Sequence, residues 1–288
     1  MKTDSIIEFV SKGLCRVAYP PVWGRQDQGV SPGGAIDMFS YELGNIMLGY
    51  SSPAPALEII IPPELKFSCD CWFIILGAAY ESVRLETPSK RRSHQIIEHG
   101  TVYRAQKGAR LKFGGKRYGF RSYLCLRPSS EVQLDLTGRK RGNYSSIATW
   151  SEPDNVVRVV EGPEHAFLEN PAYFLNDPWR ISIDSNDMGM RLTCLRNMPV
   201  VFLNNMISGA VSDGTIQLSP GGPIILLRHR QTIGGYPRIF NVISVDIDKL
   251  AQFIPGQIIR FKKVSISQAV DLLREKRGEL EKFKKRYS

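Results

Sequence analysis

The stretch Gly29-Val30-Ser31-Pro32-Gly33-Gly34-Ala35-Ile36-Asp37-Met38 sets glycine and proline punctuation around a few polar side chains. It passes directly into an apolar-periodic segment, Phe39, Leu43, Ile46 and Met47, that predicts a helix over Asp37 to Leu48 with Gly49 as its stop. Some two hundred residues on, Gln231-Thr232-Ile233-Gly234-Gly235-Tyr236-Pro237-Arg238 repeats the same kind of punctuation. Glycine lets backbone amides approach a ligand because no Cβ stands in the way. Two such loops, distant in the chain, point to a site assembled by the fold.

Around them the chain reads as mainly β. Short runs rich in Val, Ile, Leu and aromatic residues, bounded by Gly, Pro, Ser or Asp, occupy 57–61, 72–76, 110–113, 121–126, 156–160, 181–183, 215–218, 224–227 and 240–245. Their spacing, often near ten residues, is that of barrels and sandwiches. Helices are few: a short one is expected over 164–174 around Pro171, and a long amphipathic one over 265–287. In the latter, Ser265 and Gln268 have capping-box spacing, and Ile266, Ala269, Val270 and Leu273 form an apolar stripe that Leu280, Phe283 and Tyr287 continue. The polar stretch after Pro128 predicts a linker over 131–153 between two β-rich halves, 1–130 and 154–288.

Composition narrows the function. The 288 residues are 42% hydrophobic, enough for a substantial core. The net charge of +10 is uneven: 84–121 holds eleven Lys or Arg against Glu86 and Glu98. Such a face is either solvated or attracts an anion. No basic-aromatic run resembles a nucleic-acid module, so no nucleic-acid partner is expected. The apolar run 71–79 is too short to cross a membrane, and the first residues, broken by Asp4, Glu8 and Lys12, lack a leader pattern. Five cysteines, an odd number, favour a reducing, cytoplasmic setting, with Cys69 and Cys71 as core residues. No histidine or cysteine spacing completes a metal site, and none is expected.

Individual residues leave alternatives open. Gly29-x-Ser31-x-Gly33 has nucleophile-elbow spacing, but Arg25-Gln26-Asp27-Gln28 precedes it where a hydrophobic strand is required, which favours a ligand-binding loop. There is no Walker A loop and no dinucleotide fingerprint. Glu58, inside an apolar strand, is either a hydrogen-bonded edge carboxylate or a site carboxylate. Arg191 and Arg238 suit paired N–H bonds to an anion or plain salt bridges. Tyr236 orients a substrate or packs its ring, and His229 stands just before the second glycine loop.

Taken together in order, Gly29–Met38, Leu43-Gly44-Asn45 to Gly49, Ala56-Leu57-Glu58, Ser185-Asn186, Met188-Gly189, Arg191-Leu192, Gly214–Gln217, Gln231-Thr232, Gly234–Arg238 and Pro255-Gly256 resemble the family of the 5-oxoprolinase C-type subunit. The same family includes KipA-like proteins, allophanate hydrolase subunit 2 and the carboxyltransferase part of urea amidolyase. The resemblance implies two cyclophilin-like β-barrel domains. It implies a cytoplasmic complex with a B-type (KipI-like) subunit and an A-type subunit, and ATP-driven opening of a cyclic amide, with ATP and Mg as cofactors. By position it makes Glu58, Asp37 and His229 catalytic candidates, and Ser31, Asn45, Arg191, Gln231, Thr232, Tyr236 and Arg238 candidates to bind a small anionic or amide substrate. This chain departs from the family at Arg16–Val22, at Asp187 and at His229. Those changes admit a retuned enzyme or a non-catalytic KipA-like regulator. A biotin-dependent carboxyltransferase is a lower alternative, since no biotin-carrier lysine segment is present.

Overall fold

The computed structural model describes residues 6–88, 94–131, 136, 137, 139, 154–168, 170–196 and 206–287. Most of the expected 131–153 linker lies outside these residues. The chain resolves into two compact units: Met1–Pro20, Asp37–Glu152 and Gly278–Ser288 make the first, Pro21–Ile36 and Pro153–Arg277 the second.

Among the described residues, unit 1 holds ten strands: β1 (Ile7–Phe9), β2 (Leu14–Ala18), β3 (Ala56–Ile61), β4 (Leu65–Phe67), β5 (Cys71–Tyr80), β6 (Val83–Glu86), β7 (His94–Ile96), β8 (Tyr103–Ala105), β9 (Arg110–Phe113) and β10 (Lys116–Pro128). They form two five-stranded sheets, β1-β4-β9-β6-β7 and β2-β3-β10-β5-β8, with antiparallel pairs throughout. Ile59, Leu124, Phe73 and Ile75 of the second sheet meet Phe67, Leu85 and Leu111 of the first in one core. The other face of β10 and β5 is covered by helix α1 (Met38–Met47), so both faces are buried. That is why β5 reads as an unbroken apolar run rather than an alternation. Gly44 permits the close packing: a Cβ there would stand well inside van der Waals contact with Cys125 Sγ. The helix starts as expected. Asp37 caps it, its carboxylate accepting from Ser40 N at 2.9 Å. Gly49, at φ +74°, ends it in the left-handed conformation that disfavours side chains.

Unit 2 is a closed barrel. Its strands are β11 (Val156–Glu161), β12 (Trp179–Ile181), β13 (Gly189–Cys194), β15 (Thr215–Ser219), β16 (Gly222–Leu226), β18 (Arg238–Val242) and β19 (Ile258–Lys263), in the order β11-β18-β15-β16-β13-β12-β19. A parallel pairing of β11 with β19 closes the ring. A separate ribbon joins β14 (Gly209–Ala210) to β17 (Ile233–Gly234). Phe174 anchors the core, its ring 4.8 Å from Trp179, 5.1 Å from Phe240 and 4.9 Å from Phe261.

The mainly β expectation holds; among the described residues the second unit is a seven-stranded closed barrel and the first is built of two five-stranded sheets, and further details are revised. The strand expected at 181–183 stops at Ile181, because the Ser182 hydroxyl accepts from Asp184 N at 3.1 Å and turns the chain, leaving Ile183 83% exposed. The run expected at 240–245 ends at Val242, and a helix missed in the sequence, α3 (Ser244–Leu250), follows. Its Asp246 is buried against Arg158, accepting from Arg158 N at 2.7 Å. The short helix expected over 164–174 splits into a 3-10 turn at His165–Phe167 and α2 (Pro171–Asn176), which Asn170 caps. The last helix, α4 (Ile266–Tyr287), forms with its capping box: Gln268 N donates to Ser265 Oγ at 3.1 Å and Ser265 N to Gln268 Oε1 at 2.9 Å. No helix of the described residues is long and apolar enough to cross a membrane.

Candidate functional site

The expected site residues fall into two groups, one in each unit. In unit 1 the centre is Glu58, in the middle of β3 and 1% exposed. The ladder places Arg16 of β2 directly opposite it on one side and Tyr123 of β10 on the other. Arg16 Nε donates to Glu58 Oε1 at 3.0 Å, and Arg16 Nη2 lies 3.0 Å from the same oxygen. Tyr123 donates its hydroxyl hydrogen to Glu58 Oε2 at 2.7 Å and accepts from Asp37 N at 2.9 Å. Arg121, two residues along β10 and therefore on the same face, brings Nε to 3.4 Å from Glu58 Oε1. Burial, together with the Glu58 and Asp37 carboxylates, pushes the Tyr123 hydroxyl well above its ordinary value, so it stays a donor. A carboxylate taken out of water this completely requires such a set of partners.

Asp37 caps α1 with both oxygens, since Ser40 Oγ also donates to it at 2.6 Å. Asn45 is buried, donating to Tyr41 O at 3.0 Å and accepting from Ala54 N at 2.8 Å. It ties α1 to the turn that leads into β3. A separate cavity of about 80 Å³ in unit 1 is lined by Ile75, Tyr80, Val83, Ile97 and His99 among others, and by none of the expected site residues.

In unit 2 the first glycine loop docks on the chain that leads into the second. Ser31 Oγ and Gly33 N both donate to Arg228 O, at 2.8 and 3.1 Å. Arg228 Nε donates to Ile36 O at 3.1 Å, and His229 Nε2 lies 3.0 Å from Gly34 O. Val22 N donates to Pro32 O at 2.8 Å and closes the neck of the loop. Arg228 is itself fixed by acids, Nη1 3.3 Å from Asp213 and Nη2 3.0 Å from Asp248, while Lys276 of α4 holds the other Asp248 oxygen. Burial alone would raise the Asp248 carboxyl, but Lys276 and Arg228 hold it below the usual carboxylate range. The two family departures at Asp187 and His229 adjoin, His229 N donating to Asp187 O.

The second loop is organised by a buried residue that the sequence reading missed. Gln217, 1% exposed, donates from Nε2 to Tyr236 O at 3.2 Å and accepts from Gln231 Nε2 at 3.3 Å. A Cβ on Gly234 would collide with its amide, which explains glycine there. Thr232 is buried and gives its carbonyl to Val211 N. Tyr236 is 44% exposed. Arg238 forms a bidentate pair with Glu164, Nε at 2.8 Å and Nη2 at 2.6 Å, and gives Nη1 to Ala210 O. That pair lowers the Glu164 carboxyl and raises the Arg238 guanidinium. Arg191, on β13, is exposed, and its guanidinium has no partner among the described residues.

Also missed were Arg121, Tyr123 and Arg228. The alternation of Arg121 and Tyr123 against inward Leu124 and Leu126 is the signal that would have found the first two. Among the described residues no group of three or more His, Cys, Asp or Glu side chains suits a metal.

Residues 28–140 and 131–263 match the sequence profile described as carboxyltransferase domain, subdomains A and B. The C-type subunit of 5-oxoprolinase from Escherichia coli (strain K12) is 28% identical over 282 residues, covering 86% of this chain and 87% of that protein. Its Haemophilus influenzae counterpart is 28% identical over 287 residues, covering 88% and 89%. Among solved structures, the Kluyveromyces lactis urea carboxylase superposes with a TM-score of 0.79 at 22% identity, covering 96% of this chain and 29% of that one. The K. lactis urea amidolyase gives 0.76 at 23% identity, covering 96% and 20%. With these two structures the fold is what is shared, and this chain spans less than a third of either.

Proposed function

The chain belongs to the carboxyltransferase-domain family, subdomains A and B, and from that premise we propose that it is the C-type member of an ATP-dependent amidohydrolase complex, 5-oxoprolinase-like, which opens a cyclic amide. Two relatives that bear the name of the 5-oxoprolinase C-type subunit match along nearly their whole length, and a protein named as a subunit has companions. We take these companions to be a B-type and an A-type protein.

The observation that carries the reading is the Glu58 cluster. An unstrained amide is a poor electrophile, and water adds to it only if the charge developing on oxygen is stabilised. Arg16 and Arg121 supply fixed cationic N–H groups, and Glu58 sets the direction of both. Tyr123 carries that order to the start of α1 through Asp37 N.

When bound, ATP with Mg would supply the phosphoryl group that turns the amide oxygen into a leaving group, and we assign both to the assembled complex rather than to this chain. The Gly29–Gly34 loop of this chain does not fit a triphosphate. A phosphate cradle needs outward N–H groups, whereas Gly33 N and Ser31 Oγ both donate to Arg228 O.

The internal pairing of Ser31 and of Arg238 with Glu164 also favours a second reading, a non-catalytic KipA-like partner that sequesters a KipI-like protein. Mixing the chain with its B-type and A-type partners and assaying 5-oxoproline-dependent ATP hydrolysis separates the two. Turnover that requires this chain supports the first. No turnover, with tight binding to the B-type protein alone, replaces it with the second.

A further inference from the structure

The outer wall of the barrel along β13, β12 and β19 is fixed by register. Met190, Leu192, Trp179, Ile181, Ile259 and Phe261 point into the core, so the residues alternating with them point out. Arg180 of β12 stands opposite Thr193 of β13 on one side and Ile258 of β19 on the other. Continuing both ladders at two-residue steps sets Arg191 one step beyond Arg180 in one direction, and Arg260 and Lys262 one and two steps beyond it in the other. All four are exposed. With a step of about 6.8 Å along a strand, the cations form a single slanting file about 20 Å long.

This file is unmatched in charge. Among the described residues, none of the four side chains meets a carboxylate within salt-bridge distance. Asp246, Asp154, Asp177 and Glu161, which flank these strands, are held by Arg158, Lys249, Arg196 and Lys263. Unit 1 treats an exposed sheet face differently: Lys66, Arg110 and Lys112 each meet a glutamate there, at 3.1, 2.9 and 2.9 Å. Cations that guard an open sheet edge have no such task on this wall, because the ring of strands is closed. Like charges side by side repel, so the file is unfavourable until an anion covers it.

We infer that the Arg191–Arg180–Arg260–Lys262 file is a docking surface for an extended acidic segment of a partner protein, with a carboxylate at every second residue. An extended chain repeats its side chains at about 6.8 Å on one face, which is the step of the cations. Charge and spacing therefore match together. A single nucleic-acid strand also carries regular charge, but it is held by aromatic platforms, and no outward position of β12, β13 or β19 is aromatic. A membrane surface needs an apolar face to insert, and Ile258 is the one large apolar residue at those positions. The inference stands apart from the enzymatic reading, since it concerns the outside of the barrel.

The test uses the full chain and a labelled peptide of about ten residues that alternates glutamate and serine, long enough to span the file. Fluorescence anisotropy is read at low salt. Wild type binds the peptide, and the affinity falls as salt is added. The double variant Arg180→Glu, Arg260→Glu binds at least about tenfold more weakly. Arg180→Lys, Arg260→Lys keeps the binding, and so does Lys66→Glu, Arg110→Glu on the matched face of unit 1. An isomeric peptide with its glutamates in one block binds at least about threefold more weakly, because fewer of its carboxylates reach a cation. No binding by wild type, equal binding of the two peptides, a reversed variant equal to wild type, or an equal loss in the unit 1 control overturns the inference. Tighter binding of a single-stranded oligonucleotide of the same charge overturns it in favour of nucleic acid. If the reversed variant fails to fold, carbodiimide coupling on wild type replaces it: the alternating peptide is joined to Lys262, as read by peptide mass spectrometry, and absence of that adduct overturns the assignment.

Discussion

Tyr123 and Glu58 face each other across the β3–β10 ladder, joined hydroxyl to carboxylate at 2.7 Å with both side chains fully out of solvent. Removing the hydroxyl takes a donor from Glu58 and an acceptor from Asp37 N at once. Tyr123→Phe is expected to cost about 1–3 kcal/mol in urea denaturation, the penalty for buried polar groups left unmatched. Glu58→Gln costs more, about 3–5 kcal/mol, because Arg121 stays buried without its counter-charge. A Glu58→Gln chain as stable as wild type would show the cluster to be solvated.

Gly44→Ala opposes two effects. Helix propensity favours alanine by about 1 kcal/mol. The added methyl, however, meets Cys125 Sγ and Leu76 on the sheet beneath α1. Overpacking of this kind costs about 1–3 kcal/mol, so the contact wins and the variant melts lower. A raised Tm would show that α1 slides off the sheet without penalty.

The stability of unit 1 is expected to depend on Lys116 with an inverted sign. Its ammonium, lowered from 10.5 to about 8, binds its proton less well in the fold than in the unfolded chain. Stability therefore rises as pH increases from about 8 to about 10.5, and the penalty is fully present below 8. Lys116→Met flattens this dependence and is more stable than wild type at pH 7, as measured by chemical denaturation across the range.

Arg228 is the peg of the first glycine loop. Arg228→Met leaves Asp213 and Asp248 short of a cation and frees the carbonyl of Ile36. The exposed tip with Arg25 then opens more often, and trypsin cleaves at Arg25 about tenfold faster than in wild type, as expected if closure loses about 1.4 kcal/mol. Unchanged cleavage would mean that Ser31, Gly33 and His229 hold the loop without it.

Much of this was legible in the sequence because it is local. The α1 start near Asp37, its Gly49 stop and the Ser265–Gln268 box depend on residues within a few positions of one another, and all three form as read. The family resemblance carried by the two glycine loops holds as well. What escaped is set by register. Arg16, Glu58 and Tyr123 meet only because three strands align to the residue, and a slip of one position would send each to the opposite face. Gln217 was hidden for the same reason, its partners lying on a loop after the next strand. The helix α3 was missed because its Val245, Ile247 and Leu250 extend the apolar run of β18 without a break in composition.

The seam between Val156–Val159 and Arg260–Lys263 has a consequence for how the chain matures. The two strands that close the second barrel are separated by about a hundred residues, and they are the first and last staves of the ring. During synthesis the edge of the early stave waits, unzipped, until nearly everything between has left the ribosome. The Pro21–Ile36 segment, which lodges in that barrel, waits longer still. Assembly of this half is therefore a late, all-at-once event, slow for its size and sensitive to any delay at β19.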